Sequence, residues 1–140
     1  MNKPLVHSKL GVGKKAQEIY LEGCALFGWD KKLASNFGNL ASLYAETRDN
    51  KNKVYGIWFI QHSNLTGTEK SGWKNIINIW NGEITQSAQN LVSQYSNGDK
   101  RIIFARDSFN EYIFMGVYEQ ILINKIPNTE VFKRISTIYQ

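Results

Sequence analysis

At 140 residues the chain fits one domain, and its 42% hydrophobic and 13% aromatic content supplies a core, which excludes disorder as the resting state. Seventeen Lys/Arg against twelve Asp/Glu leave it at +5, a charge that permits nucleic-acid binding without requiring it. A single cysteine, Cys24, excludes an internal disulfide and a cysteine-rich zinc centre, and the longest apolar run, Val54–Ile60, is far too short to span a bilayer.

The amino terminus has no apolar signal-peptide core, so the expectation is a cytoplasmic protein without membrane contact. The charge is uneven. Residues 1–53 hold nine Lys/Arg against five Asp/Glu, and residues 54–140 hold eight against seven. The basic excess, which includes Lys14, Lys15, Lys31 and Lys32, therefore sits in the amino-terminal part.

In chain order, residues 11–28 predict a helix, with Ala16, Ile19, Tyr20, Cys24 and Phe27 repeating at three and four. Gly28-Trp29-Asp30 closes it, and Asp30 is placed to cap a second helix through Leu33, Phe37, Leu40 and Tyr44. Together they predict a helical hairpin over 1–48. Residues 48–53 are a polar loop. Lys53–Gln61 is apolar on both faces, as a central strand covered on both sides must be. Residues 62–72 read as a loop, Trp73–Trp80 as a short helix or a strand with the helix preferred, and Thr85–Ser96 as a helix. Asn81-Gly82 breaks the segment 73–80, and Asn97-Gly98-Asp99 ends the helix at 85–96.

Lys100–Arg106 and Glu111–Glu119, joined by the turn at 107–110, predict a β-hairpin. In its second strand Tyr112, Phe114, Gly116 and Tyr118 are expected on one face, and Ile113, Met115 and Val117 on the other. Gly116 leaves a gap in the aromatic row, the sign of a bulge or a close backbone approach. Residues 121–126 extend or bend that strand, Pro127-Asn128 turns the chain, and Val131–Tyr139 is a last strand. The fold class expected is therefore α+β: one domain over 1–140, with the helical hairpin (1–48) packed on a small curved antiparallel or mixed sheet or open barrel. The β-rich part (53–140) carries an inserted helix.

The stretch 55–119 carries a resemblance. Its elements are Trp58-Phe-Ile-Gln61-His-Ser63-Asn64, Ser71-Gly72 with Ile76-Ile77, Ile103-Phe104-Ala-Arg106-Asp107, and Tyr112-Ile-Phe114-Met-Gly116. They resemble the uncharacterised β-rich domain fused to helicase-like and restriction-type nuclease proteins. The order strand, helix, Gly98-Asp99, strand, strand with Gly116 also resembles the PUA-like base-binding barrels. The resemblance implies a non-enzymatic nucleic-acid-binding module, one that reads an unstacked or modified base, in bacterial or phage defence systems.

Individual residues suit that role. The Gln61 amide can both donate to and accept from a base edge, and Arg106 offers a planar fork for phosphate or guanine. Ser63, Trp73 and Tyr112 complete the expected base site, with Lys74 and Arg101 along the backbone and Lys14, Lys15, Lys31 and Lys32 as outer phosphate contacts. Each also has a structural reading: Trp58 as core, Arg106 paired with Asp107 or Glu111 at a hairpin edge, and Gln61 satisfying neighbouring backbone.

No catalytic or cofactor signature assembles. Gly11-Val-Gly13-Lys14-Lys15 lacks phosphate-loop spacing, and His7 and His62 stand too far apart in sequence, without cysteine, to suggest a metal centre. His62 beside Ser63 is the one pair with a nucleophile-and-base look, and Cys24 falls on a helix's apolar stripe as a small core residue. No cofactor or metal is expected. The rival reading is a protein–protein interaction factor, such as a phage or mobile-element inhibitor, anchored by exposed aromatics at Trp29, Trp73 or Tyr139.

Overall fold

A computed structural model describes residues 5–6, 16–32, 44–61, 73–78, 81–88, 99–106, 112–121 and 128–140. Strands dominate. In chain order they are β1 (Leu5–Val6), β2 (Tyr44–Arg48), β3 (Val54–Gln61), β4 (Trp73–Asn78), β5 (Glu83–Ala88), β6 (Lys100–Arg106), β7 (Tyr112–Ile121), β8 (Thr129–Ser136) and β9 (Ile138–Tyr139). The described helix is α1 (Ala16–Phe27).

Seven strands form one sheet in the order β2-β3-β6-β7-β8-β5-β4, and β1 pairs with β9 separately. The pair β3–β6 is parallel and its neighbours are antiparallel, so the sheet is mixed. β3 runs from Ile57 to Ile60 without an exposed residue because it lies inside the sheet with both faces covered. On one face Ile57, Phe59, Ile102, Phe104 and Phe114 meet Ile19, Tyr20, Cys24 and Phe27 of α1. On the other Trp58, Ile60, Ile103, Met115, Tyr118 and Phe132 pack with Ile77 and Ile84.

That second face is concave. Two strands separate β3 from β8, which in a flat sheet sets them about 14 Å apart. The rings of Trp58 on β3 and Phe132 on β8 nevertheless stand 5.1 Å apart between centroids. The sheet must curl to bring them into contact.

The expected α+β helical hairpin is corrected. Tyr44, expected to end a second helix, begins β2, which pairs antiparallel with β3 from Tyr44↔Trp58 to Arg48↔Val54. Asp30 does cap the chain that follows, its Oδ1 accepting from Lys32 N at 2.9 Å, but residues 33–43 lie outside the described residues. The inserted helix is corrected too. Trp73–Asn78 and Glu83–Ala88 are strands, paired from Trp73↔Ala88 to Asn78↔Glu83, with Asn81-Gly82 in the turn between them. The expected loop at 62–72, the rest of the expected helix at 89–96 and the hairpin turn at 107–110 fall outside the described residues.

The hairpin β6–β7 matches its expected strands, with one change of facing. Phe104 pairs with Phe114 but Ile103 pairs with Gly116, leaving Met115 as an extra residue in β7. This bulge reverses the alternation beyond it. Val117 therefore joins Phe114 beneath α1, and Tyr118 turns to the concave face with Ile113 and Met115. Gly116 also accounts for the gap in the aromatic row: its φ is +116°, and a β-carbon there would lie 2.2 Å from Ser136 O.

Candidate nucleic-acid interface

The parallel pairing of β3 with β6 sets Gln61 opposite Arg106, and the β6–β7 pairing sets Arg106 opposite Tyr112. Three of the expected site residues thus form one row across three adjacent strands, at the carboxyl ends of β3 and β6. They continue at two-residue spacing the rows Ile57–Phe59, Ile102–Phe104 and Phe114. Nothing in the linear order brings 61, 106 and 112 together. The parallel register does.

Ser63 falls outside the described residues, as do Lys14, Lys15, His7 and His62. Trp73 and Lys74 begin β4, an edge of the sheet, opposite Ala88 and Ser87. β4 stands five places along the strand order from β3, so strand pairing does not join them to the row. Lys31 and Lys32 are exposed on the turn after Asp30.

Arg101 sits near the other end of β6. Its guanidinium carbon lies 4.9 Å from the Trp58 ring centroid and 4.4 Å from that of Phe132, and its Nε is 3.4 Å from Asp99 Oδ2. Only 15% of the side chain is exposed. Arg101 is a packed cation over aromatic faces, where its charge meets the negative faces of the rings. Trp58, at 3% exposed, is core rather than a base platform.

A second row, Arg101↔Tyr118↔Arg134, crosses β6, β7 and β8. The sequence reading missed Tyr118 and Arg134 because the bulge at Gly116 decides which way Tyr118 faces. Asp49 was missed as well. It is 5% exposed, accepts a hydrogen bond from the Tyr139 hydroxyl at 2.5 Å, and takes the Lys51 and Lys53 amides on its other oxygen at 2.9 and 2.8 Å. Burial alone would raise its pKa. The Tyr139 hydroxyl, the two amides and the Lys53 ammonium outweigh burial and hold it below the usual carboxylate value.

Two aromatics expected as exposed anchors are buried. Trp29 and Tyr139 are each 2% exposed, packed with Phe27 at the end of α1 in tilted and edge-to-face ring contacts. The Cys24 thiol is buried on α1, and its pKa is raised chiefly by that burial. Among the described residues no group of three or more His, Cys, Asp or Glu could hold a metal, and no helix is long and apolar enough to cross a membrane.

No family model matches the sequence, and no curated protein matches it. Among solved structures the fold is similar to that of the 5-hydroxymethylcytosine-specific restriction enzyme AbaSI, with 28% sequence identity and a TM-score of 0.46. The likeness covers 61% of this chain and 29% of the AbaSI chain, so this chain spans less than a third of that enzyme's length.

Proposed function

We propose that this protein is a non-enzymatic nucleic-acid-binding module whose contact residues include the row Gln61, Arg106 and Tyr112. The observation that carries the reading is the register that sets these three side by side at the carboxyl ends of the parallel strands. In sheets with parallel strands that end is a recurrent place for ligands. The residue types suit a nucleotide: an amide for a base edge, a guanidinium for phosphate or guanine, and a phenol ring on which an unstacked base can lie. Lys31 and Lys32, exposed on their turn, add sequence-independent attraction for phosphates. The resemblance of residues 55–119 links the module to bacterial or phage defence. The rival protein-interaction reading loses two of its three anchors, since Trp29 and Tyr139 are core.

Binding to single-stranded, paired and singly mispaired oligonucleotides at low salt tests the reading. Affinity should fall as salt rises, and the duplex that presents an unpaired base should bind more tightly than the fully paired one. Arg106→Ala should weaken binding about tenfold, the worth of one guanidinium contact, with an unchanged unfolding curve. Undetectable binding to every oligonucleotide would end the proposal.

A further inference from the structure

An open cleft of about 190 Å³ lies at the amino ends of β3 and β6, on the α1 side of the sheet. Tyr55, on its wall, precedes Gln61 by six residues of β3, about 20 Å at the usual strand rise. The cleft is therefore separate from the Gln61–Arg106–Tyr112 row. Val117, Ile135 and Ile138 give it apolar walls, and beside them the rings of Tyr55 and Tyr139 meet edge to face at 5.2 Å between centroids. Walls of this kind suit a flat apolar body held by a few polar groups. The volume is that of a ring with a small substituent, since an apolar cavity of roughly 150 Å³ holds benzene.

One cation stands on the rim. Lys100 is exposed, and the β3–β6 register sets it beside Tyr55. Burial raises the Tyr55 pKa, the Lys100 charge pulls against that rise, and Asp49 adds to it. Among the described residues Lys100 makes no ion pair, and Glu119, its partner in the β6–β7 register, does not reach it. The other polar groups nearby are already matched. Asp49 takes the Tyr139 hydroxyl and two amides, while Lys53 lies 3.5 Å from Asp49 and donates to Gln140 O at 2.8 Å. The Ser136 hydroxyl donates to Ile138 O and accepts from Ile138 N. What is left open is one ammonium and the Tyr55 hydroxyl, which makes no hydrogen bond among the described residues. Two donors and one positive charge suit a monoanion; a phosphate dianion asks for more.

We infer that this cleft binds a small aromatic carboxylate, its ring against Val117, Ile135 and Ile138 and its carboxylate on Lys100 and the Tyr55 hydroxyl. The ring supplies apolar burial and the rim supplies orientation, so neither half of the ligand suffices without the other.

The test is titration of the isotope-labelled full chain with benzoate, followed by amide chemical shifts, with acetate and benzyl alcohol as controls. Benzoate should shift the amides of Tyr55, Lys100 and residues 135–139 saturably. Acetate, which lacks the ring, and benzyl alcohol, which lacks the charge, should each bind more weakly. Lys100→Gln should weaken benzoate about fivefold, the worth of one exposed ion pair, and leave benzyl alcohol unchanged. Ile135→Trp, at a position 50% exposed and so open to a larger side chain, should fill the cleft and weaken both. Arg106→Ala should leave benzoate binding unchanged, so loss of oligonucleotide binding alone would overturn the functional proposal and not this one. Acetate binding as tightly as benzoate would reduce the site to a surface anion contact and overturn it. Shifts that never saturate, or a benzoate affinity unchanged in both cleft variants, would overturn it as well.

Discussion

At the scale of single residues, one buried carboxylate ties together parts of the chain far apart in sequence. Asp49 closes the turn between β2 and β3 through the Lys51 and Lys53 amides and anchors β9 through Tyr139. Its pKa is lowered in the folded state, so its contribution is present above the unfolded carboxylate value of about 3.9 and is lost as pH falls through the lower folded value. Asp49→Asn should cost about 2 kcal/mol at neutral pH and should flatten the fall in unfolding midpoint between pH 5 and 3. An equally steep acid fall in the variant would show that other carboxylates carry it. Tyr139 is shifted the other way, raised chiefly by burial, so stability should also fall as pH climbs above about 10. Gly116→Ala combines a forbidden φ with a β-carbon 2.2 Å from Ser136 O, and should cost at least about 2 kcal/mol in denaturant unfolding.

At the scale of elements, the hairpin β4–β5 shows why a strand can read as a helix. β4 buries Asn75 at 1% and Ile77 at 8% but exposes Ile76 at 44%. The Asn75 side chain is accommodated because its Oδ1 accepts from Gln86 Nε2 at 3.0 Å across the hairpin. A buried polar residue beside an exposed apolar one erases the alternation that marks a strand, and what survives is a spacing of three and four. A helix would set Ile76 and Ile77 on neighbouring parts of one face, whereas the strand sets them on opposite faces. Ile77→Ala should therefore cost about 2–4 kcal/mol and Ile76→Thr less than about 0.5 kcal/mol. Equal costs would contradict the strand. The hairpin β6–β7 and strand β3 were legible because their apolar, β-branched runs are long. Even there the bulge at Gly116 decided the facing of Tyr118, and a bulge is set by the partner strand as much as by the glycine.

At the scale of the whole molecule, β3, β6, β7, β8 and β5 each lie between two neighbours in the curled sheet, with β2 and β4 at its edges. Amide exchange should be slowest in β3, β6 and β7, which have neighbours on both sides and buried faces, and faster in β2 and β4. Uniform protection across all seven strands would count against that ordering. The charge asymmetry bears on affinity. Lys31→Gln with Lys32→Gln should lower the slope of log affinity against log salt by up to about 1.8 on duplex and leave any preference for an unpaired base intact.

Taken alone, the sequence determined the presence of an apolar core, the strands β3, β6 and β7, the helix α1 with Cys24 on its buried stripe, and the basic bias of residues 1–53. Each of these is a local property of composition or period. It named Gln61, Arg106 and Tyr112 separately, by residue type and by resemblance. Only the tertiary structure decided that they share a row, that Tyr44–Arg48, Trp73–Asn78 and Glu83–Ala88 pair as strands, and that Arg101, Tyr118 and Arg134 stand opposite one another across β6, β7 and β8. The physical reason is common to all three: strand pairing is a contact between distant segments, and an edge strand with few apolar residues takes its conformation from its neighbour's hydrogen bonds rather than from its own side chains.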